Sequence, residues 1–268
     1  MVWTVIRHEW RHARIAFISW TGLTAVLVSL AMAFYPRVAA SAGEVVLLLE
    51  QFPQELLGLL SLNSVTLAQP MGYFSANAFL FVHLLGNLYS AANGARILHA
   101  DSGQGGPEYI MSQPIGRTQV LRGKILVFIG LTVVYVLVNF LLSVALFLLL
   151  VRQVWSLVEL VYLFTYGLLV MLVFGGLGMF FSLFFVKSRT VAGPVIGFVI
   201  VSYMLAAFSR IAGPYAYVAY VSPVTFAWFN VANPGYGLVW WRIAYFLLMI
   251  AVPIGASMYI YKNRDMAA

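Results

Sequence analysis

Residues 125–151 read ILVFIGLTVVYVLVNFLLSVALFLLLV and contain no charged side chain. A helix that crosses a bilayer needs about 20 mostly apolar residues, so this stretch predicts a membrane span. The whole chain has the same character, because 63% of its 268 residues are hydrophobic, only 9% are charged and the mean hydropathy is +0.94. Soluble domains carry roughly 25% charged residues. We therefore predict an all-α membrane protein whose surface is solvated by lipid.

Further stretches are long enough and apolar enough to cross a bilayer. The six predicted spans are residues 15–35, 72–95, 125–151, 157–185, 191–211 and 238–261. The first exceeds the roughly 7–15 apolar residues of a signal peptide, so we expect it to be retained as a helix. Residues 1–268 then form a single transmembrane domain. Because the chain has no cysteine, disulfides and thiolate metal sites are excluded.

The Lys and Arg residues are distributed unequally between the two sides of the membrane. With the N-terminus inside, the inner segments hold eleven of the 15 Lys and Arg residues and the outer segments hold four. The positive-inside rule therefore predicts a multi-pass protein with both termini in the cytoplasm. We expect its location to be a prokaryotic cell membrane. The net charge of +7 follows from this topology and from anionic lipid, so no nucleic-acid partner is expected.

Residues 1–14 predict an amphipathic helix that lies flat in the membrane interface. Its two faces differ in chemistry: Trp3, Ile6, Trp10, Ala13 and Phe17 form the apolar one, and Arg7, Arg11 and Arg14 form the basic one.

The same segment contains HEWRH at residues 8–12, the H-E-x-x-H pattern of zinc proteases. His8 and His12 are spaced to share a helix face, but a catalytic zinc site needs a third protein ligand. The next acidic residue, Glu44, is placed across the bilayer by the predicted topology. We therefore predict no metal site. An intramembrane zinc protease acting through His8-Glu9-x-x-His12 is kept as an alternative function.

The stretch LHADSGQGGPEYIMSQPIGRTQVLRGK at residues 98–124 follows the second span on the cytoplasmic side. Pro107 suits the first position of a helix, and Glu108 complements the positive end of its dipole. Pro114 ends this short helix. The helix carries apolar side chains on a cytosolic loop: Tyr109, Ile110 and Met111. Such groups predict contact with a partner, with the membrane surface or with neighbouring helices.

This loop resembles the segment after the second span of ABC-2 type transporter permeases, which runs Glu-Glu-x-x-Gly-Thr-Leu-Glu-Leu-Leu-Leu-Ser-x-Pro-Val-Ser-Arg and then Gly-Lys. The matching positions are Gly105, Glu108, Ser112, Pro114, Arg117, Gly123 and Lys124. Similar stretches are FPQELLGLLSLNS (52–64), PMGYFSANAF (70–79), NGARI (93–97) and the basic-acidic opening around Glu9. The departures are Asp101-Ser102 for the acidic pair, Gly106 and Pro107 for Thr and Leu, and Gly116 for Ser.

The resemblance implies a six-span permease that works as a pair, favoured as a homodimer, with a separate cytoplasmic ATPase subunit in two copies. The residues implied to couple to that subunit are Glu108, Tyr109, Ile110, Met111, Gln113, Pro114, Arg117 and Glu9. The chain lacks the G-x-x-x-x-G-K-[ST] phosphate loop, so ATP and Mg²⁺ are expected in the partner, and no enzyme activity or cofactor is expected here. We expect export of a hydrophobic or amphipathic substrate. A membrane scaffold without transport activity is a further alternative.

Polar residues form a stripe on the second predicted span. His83, Asn87, Ser90 and Gly94 share a helix face, and Asn77 and Asn93 lie nearby. Ser202 and Ser209 form a weaker stripe on the fifth span. Two interpretations stay open: these residues line a translocation path or a dimer interface, or they make ordinary hydrogen bonds between helices. The glycines of the fourth span predict close helix packing: Gly175, Gly176 and Gly178.

Residues 213–236, GPYAYVAYVSPVTFAWFNVANPGY, combine many aromatic side chains with prolines. They cannot form a straight span, so they predict a re-entrant or interfacial element that caps the outer face between the fifth and sixth spans. Its role is either an outer gate or an aromatic belt at the membrane interface.

Overall fold

A computed structural model describes residues 2–41, 51, 69–99, 117–184, 188–209, 213–227, 229, 231 and 235–263 of the chain. The regular elements in these residues are all helical. In chain order they are α1 (Val2–Ala40), α2 (Pro70–Tyr73), a π-helix (Phe74–Ala78), α3 (Phe79–His99), α4 (Arg117–Leu150), α5 (Leu157–Ser182), α6 (Ser188–Phe208), a 3₁₀ helix (Gly213–Val221), α7 (Pro223–Phe226) and α8 (Trp240–Asn263).

The described helices confirm an all-helical membrane protein. Within the described residues, four segments are long and apolar enough to cross a bilayer: Ile6–Ala40, Gln119–Leu150, Leu157–Ser182 and Trp240–Tyr261. The two other predicted spans also fall on helices. Span 72–95 lies on α2, the π-helix and α3, whose polar face lowers the hydropathy. Residues 191–208 of the predicted span 191–211 lie on α6, whose apolar part is Gly193–Phe208. The count of six spans stays a prediction.

The N-terminal helix differs from the sequence prediction. The predicted interfacial segment 1–14 and the span 15–35 belong to one continuous helix, α1. The physical reason is local, because the described part of α1 has neither glycine nor proline before Gly22 and nothing interrupts its hydrogen bonds there. The predicted faces are visible only in part: Ala13 and Phe17 of the apolar face are buried, while Trp10 of that face is exposed together with the three arginines.

Helix α3 lies at the centre of the described bundle. Its most extensive contact is with α5, and it also packs against α1, α4 and α6. On the periphery, α1 packs along α4 and α8 packs along α5. The polar face of α3 is therefore enclosed by other helices of the same chain.

Small residues bring the backbones of α3 and α5 together. A Cβ atom added at Gly94 would collide with the backbone carbonyl of Gly175, and one added at Gly178 would collide with the carbonyl of Ala91. Gly176 faces α8 instead, where its neighbours are Pro253 and Ile254. Close packing at Gly175, Gly176 and Gly178 was predicted from the sequence and is confirmed.

We expect Gly94→Ala or Gly178→Ala to destabilise the protein by about 1–3 kcal/mol, because each added methyl group meets backbone that cannot rotate away. The matched control is Gly130→Ala in the middle of α4, where an added Cβ has no neighbour within 4 Å. That change should be neutral or stabilising by up to about 1 kcal/mol. Thermal unfolding of the purified protein in detergent measures all three. Equal unfolding temperatures for the three variants would contradict the packing role.

Candidate functional site

The polar face of α3 meets a tyrosine of α6 inside the bundle. Nδ2 of Asn87 donates a hydrogen bond of 2.6 Å to Oη of Tyr203, and Nδ1 of His83 makes a hydrogen bond with the same oxygen. His83 and Asn87 are both buried. At 1.5 Å per residue, His83 lies about 20 Å along the helix axis from Pro70 and about 24 Å from His99, so it is near the middle of this helical stretch.

The hydroxyl of Tyr203 can act in two ways in this cluster. Its oxygen accepts from Nδ2 of Asn87 and has a further lone pair and a proton of its own. The direction of the bond with His83 depends on the imidazole tautomer: Nδ1 accepts when the proton is on Nε2 and donates when the proton is on Nδ1. Oδ1 of Asn87 has no hydrogen-bond partner among the described residues.

An aromatic residue from the outer segment also reaches this cluster. The ring of Phe229 stacks on the imidazole of His83 with centroids 4.7 Å apart, and the ring of Tyr203 stacks on it at 5.3 Å. Phe79, at the start of α3, contacts both His83 and Phe229. Part of the predicted outer capping element 213–236 therefore penetrates to the polar face of α3.

Other parts of that outer element stay at the surface. The 3₁₀ helix exposes aromatic rings, namely Tyr215, Tyr217 and Tyr220. Ser222 immediately precedes α7 and connects it to α6, since its hydroxyl donates a hydrogen bond of 2.8 Å to the carbonyl of Ser202. The element thus combines an exposed aromatic surface with one inserted phenylalanine, so both sequence interpretations of its role stay open.

The remaining residues of the α3 stripe are also buried and bonded within the chain. Oγ of Ser90 donates to the carbonyl of Met171 on α5 at 2.6 Å, and Oδ1 of Asn93 accepts from Arg96 at 3.3 Å. Nδ2 of Asn93 has no partner in the part of the chain that the structure describes. The bond of Ser90 joins α3 to α5, and the bond of Asn93 lies within α3. Both agree with the interpretation that the stripe makes ordinary hydrogen bonds in the helix bundle. A role for the stripe in a translocation path stays a prediction.

Of three weaker candidates, Asn77 and Ser209 make local contacts. Asn77 lies in the π-helix, where its Nδ2 donates to the carbonyl of Tyr73 at 3.1 Å. Ser202 is buried on α6, and Ser209 donates to the carbonyl of Ala206 at 2.8 Å. The structure does not bring Asn77 or Ser209 into hydrogen-bond contact with the His83 cluster.

A second polar site lies where three helices meet at the predicted cytoplasmic end. Nζ of Lys124 on α4 lies 3.1 Å from Oε1 of Glu9 on α1, and both side chains are buried, with 1% and 6% exposed. The same Nζ donates a hydrogen bond of 2.8 Å to the carbonyl oxygen of Ile97 on α3. Ile97 belongs to the last turn of α3, where carbonyls lack intrahelical partners and carry the negative end of the helix dipole.

The H-E-x-x-H pattern does not form a protease site in this arrangement. His8 and His12 lie on the exposed side of α1, with ring centroids 4.4 Å apart and Nδ1 of His12 bonded to the carbonyl of His8. Glu9 instead points inward to Lys124, so its carboxylate cannot serve as a base beside a metal held by the two histidines. Among the described residues, no group of three or more His, Asp or Glu side chains could hold a metal ion.

Most of the predicted ATPase-coupling residues lie outside the described residues. These are Glu108, Tyr109, Ile110, Met111, Gln113 and Pro114. Arg117 is described as the first residue of α4. The predicted contact of Glu9 with an ATPase subunit is untested, and the partner that the structure shows for this carboxylate is Lys124.

The fold is that of a helical membrane protein with a buried polar centre. A family model described as ABC-2 family transporter protein matches residues 3–266. Because this match covers almost the whole sequence, the chain belongs to the ABC-2 transporter family and is a membrane component of a transporter. No match to a curated protein was found.

Sequence reasoning missed the residues that complete both sites. Tyr203 was absent from the predicted stripe of α6, although a tyrosine hydroxyl in the middle of an apolar span needs a partner and could have been noticed for that reason. Lys124 was matched to the Gly-Lys of the family segment, but its contacts with Glu9 and Ile97 join separate parts of the chain. No local pattern indicates that pairing.

We expect Tyr203→Phe to lower the free energy of unfolding by about 1–3 kcal/mol, because it leaves the buried side chains of His83 and Asn87 without their shared partner. Tyr259→Phe is the matched control, since Tyr259 is 71% exposed on α8. Thermal unfolding in detergent compares the two. If both variants unfold at the temperature of the unaltered protein, the hydrogen bonds of Tyr203 contribute nothing to stability.

Proposed function

We propose that the chain is the transmembrane permease subunit of an ATP-driven exporter in a prokaryotic cell membrane, with both termini in the cytoplasm. The observation that carries this proposal is the match of the ABC-2 transporter family to residues 3–266. The excess of Lys and Arg on the predicted inner side supports the orientation. In this proposal a separate ATPase subunit, in two copies, binds ATP and Mg²⁺, and the permease moves between inward- and outward-facing states.

The segment between α3 and α4 is the proposed docking site of the ATPase subunit. Its apolar centre, Tyr109 to Met111, suits burial in a cleft of a partner protein. The placement of the flanking helices supports this role, because α3 is the most enclosed helix of the described bundle and α4 packs along α1. A force applied to the connecting segment therefore acts directly on helices of the core.

The proposed cargo is hydrophobic or amphipathic. In the described membrane helices the acidic residues are Glu9, which is paired with Lys124, and Glu159 near the start of α5. This scarcity of acidic groups disfavours small cations as cargo. The large exposed apolar side chains of α1 and α4 suit contact with lipid or with a second copy of the chain, and we propose a homodimer.

Purification of the tagged chain from its native cells tests the proposal. We expect an ATPase subunit with a phosphate loop to co-purify, and we expect the complex in liposomes to hydrolyse ATP faster when amphipathic cargo is added. A screen across lipids, peptides and drugs would identify the cargo class. Purification without an ATPase subunit would contradict the exporter and favour the scaffold.

We expect Met111→Asp to abolish co-purification of the ATPase subunit or to uncouple its ATP hydrolysis from transport, because a carboxylate cannot be buried in an apolar cleft without a partner. Met111→Leu is the control, since it keeps an apolar side chain of similar volume and should retain both properties. Pull-down of the ATPase subunit and ATP-dependent transport are measured for each variant. Unchanged pull-down and transport in Met111→Asp would show that this position does not contact the ATPase.

A further inference from the structure

Burying the charges of Glu9 and Lys124 is unfavourable in free energy unless the surrounding groups compensate for the lost water. Removing an ammonium and a carboxylate from water is unfavourable by several kcal/mol per ion, and their attraction repays this only when the remaining hydrogen-bonding groups are also satisfied. Lys124 meets this condition through two directed contacts, to Oε1 of Glu9 and to the carbonyl of Ile97. Buried pairs of this kind are weak sources of stability, but they can fix the relative position of the elements they join.

We propose that Glu9, Lys124 and the carbonyl of Ile97 form a three-helix clamp that makes the predicted cytoplasmic ends of α1, α3 and α4 move as one rigid unit. The clamp itself follows from the described contacts. Its consequence rests on the proposed function. When an ATPase subunit moves the segment between α3 and α4, α1 moves as well, although α1 is not adjacent to that segment in the sequence. Glu9 and Lys124 are thus positioning residues.

The place of the clamp along the helices supports this role. At 1.5 Å per residue, Ile97 lies about 3 Å from the end of α3, and Lys124 lies about 10 Å from the start of α4. The clamp therefore lies immediately beside the connection that the ATPase subunit would move. Between Arg7 and Arg14 of α1, the buried residues are Glu9 and Ala13. Of these two, only Glu9 can form a directed polar bond that holds the first turns of α1 in a fixed register.

The two contacts of Lys124 can be separated by substitution. Glu9→Lys combined with Lys124→Glu restores an ion pair between α1 and α4, but a carboxylate at position 124 cannot donate to the carbonyl of Ile97. This double variant should keep α1 attached to α4 and release the end of α3. Glu9→Met combined with Lys124→Met removes both contacts, and it should still fold because apolar replacement of a buried ion pair is often neutral or stabilising.

Distances between spin labels test the clamp directly. The chain has no cysteine, so cysteines introduced at Arg11 and Leu126 provide the two label sites. Both residues are exposed, on α1 and on α4 respectively. In the full-length chain with its co-purified ATPase subunit, we expect one narrow distance distribution that is the same with and without ATP. The Met-Met double variant should lose this narrow distribution, while the charge-reversed double variant should keep it.

Two further variants separate the clamp from a general loss of stability. Arg122→Met removes an exposed cation from the same part of α4 and should leave the distribution unchanged. Lys124→Arg keeps both the charge and the donors, so it should also keep the narrow distribution. Thermal unfolding verifies that each variant is folded.

A folded Met-Met variant with the same narrow distribution as the unaltered protein would overturn the proposal. The nucleotide-free measurement does not depend on an ATPase subunit. A failure of the proposed function, seen as no co-purifying ATPase, is therefore distinguishable from a failure of the clamp.

Discussion

Backbone contact between α3 and α5 is the constraint on which the described bundle depends. Lipid tails are as apolar as leucine, so apolar burial does not drive helices together inside a membrane, and close van der Waals contact and polar bonds must do so. Gly94 and Gly178 provide that contact because neither has a Cβ atom between the two backbones. The hydroxyl of Ser90 then adds a hydrogen bond from α3 to α5. Because α3 is held against α5 in this way, its other faces are oriented toward α1, α4 and α6.

The position of α3 explains why its polar side chains do not face lipid. Polar groups in the hydrocarbon region must find partners within the protein. His83 and Asn87 find theirs in one hydroxyl of α6, and the ring of His83 stacks on Phe229 from the outer segment. The cluster therefore links a central helix, a peripheral helix and the outer element. These hydrogen bonds fix the position of α6 relative to α3 in the described bundle.

At the predicted cytoplasmic end, the helices are joined by a buried ion pair and a hydrogen bond from the same lysine. There a single ammonium joins three helices, while the histidines of the H-E-x-x-H pattern remain on the exposed side. The basic-acidic opening and the Gly-Lys that resemble the ABC-2 family meet each other through Glu9 and Lys124. Their presence in the sequence is thus explained by a structural contact. Of the residues in the H-E-x-x-H pattern, Glu9 makes a contact that joins α1 to another helix.

The sequence by itself determined the helical membrane character, the places of the helices and the small-residue packing surface. These properties depend on the length and composition of each segment against a bilayer of fixed thickness, so they can be read locally. The continuity of α1 was missed because an amphipathic segment and a span were treated as separate helices. The tertiary structure alone decided which polar groups meet. His83 and Tyr203 are 120 residues apart, and Glu9, Ile97 and Lys124 come from three helices, so their contacts exist only where the packed helices bring them within hydrogen-bond distance.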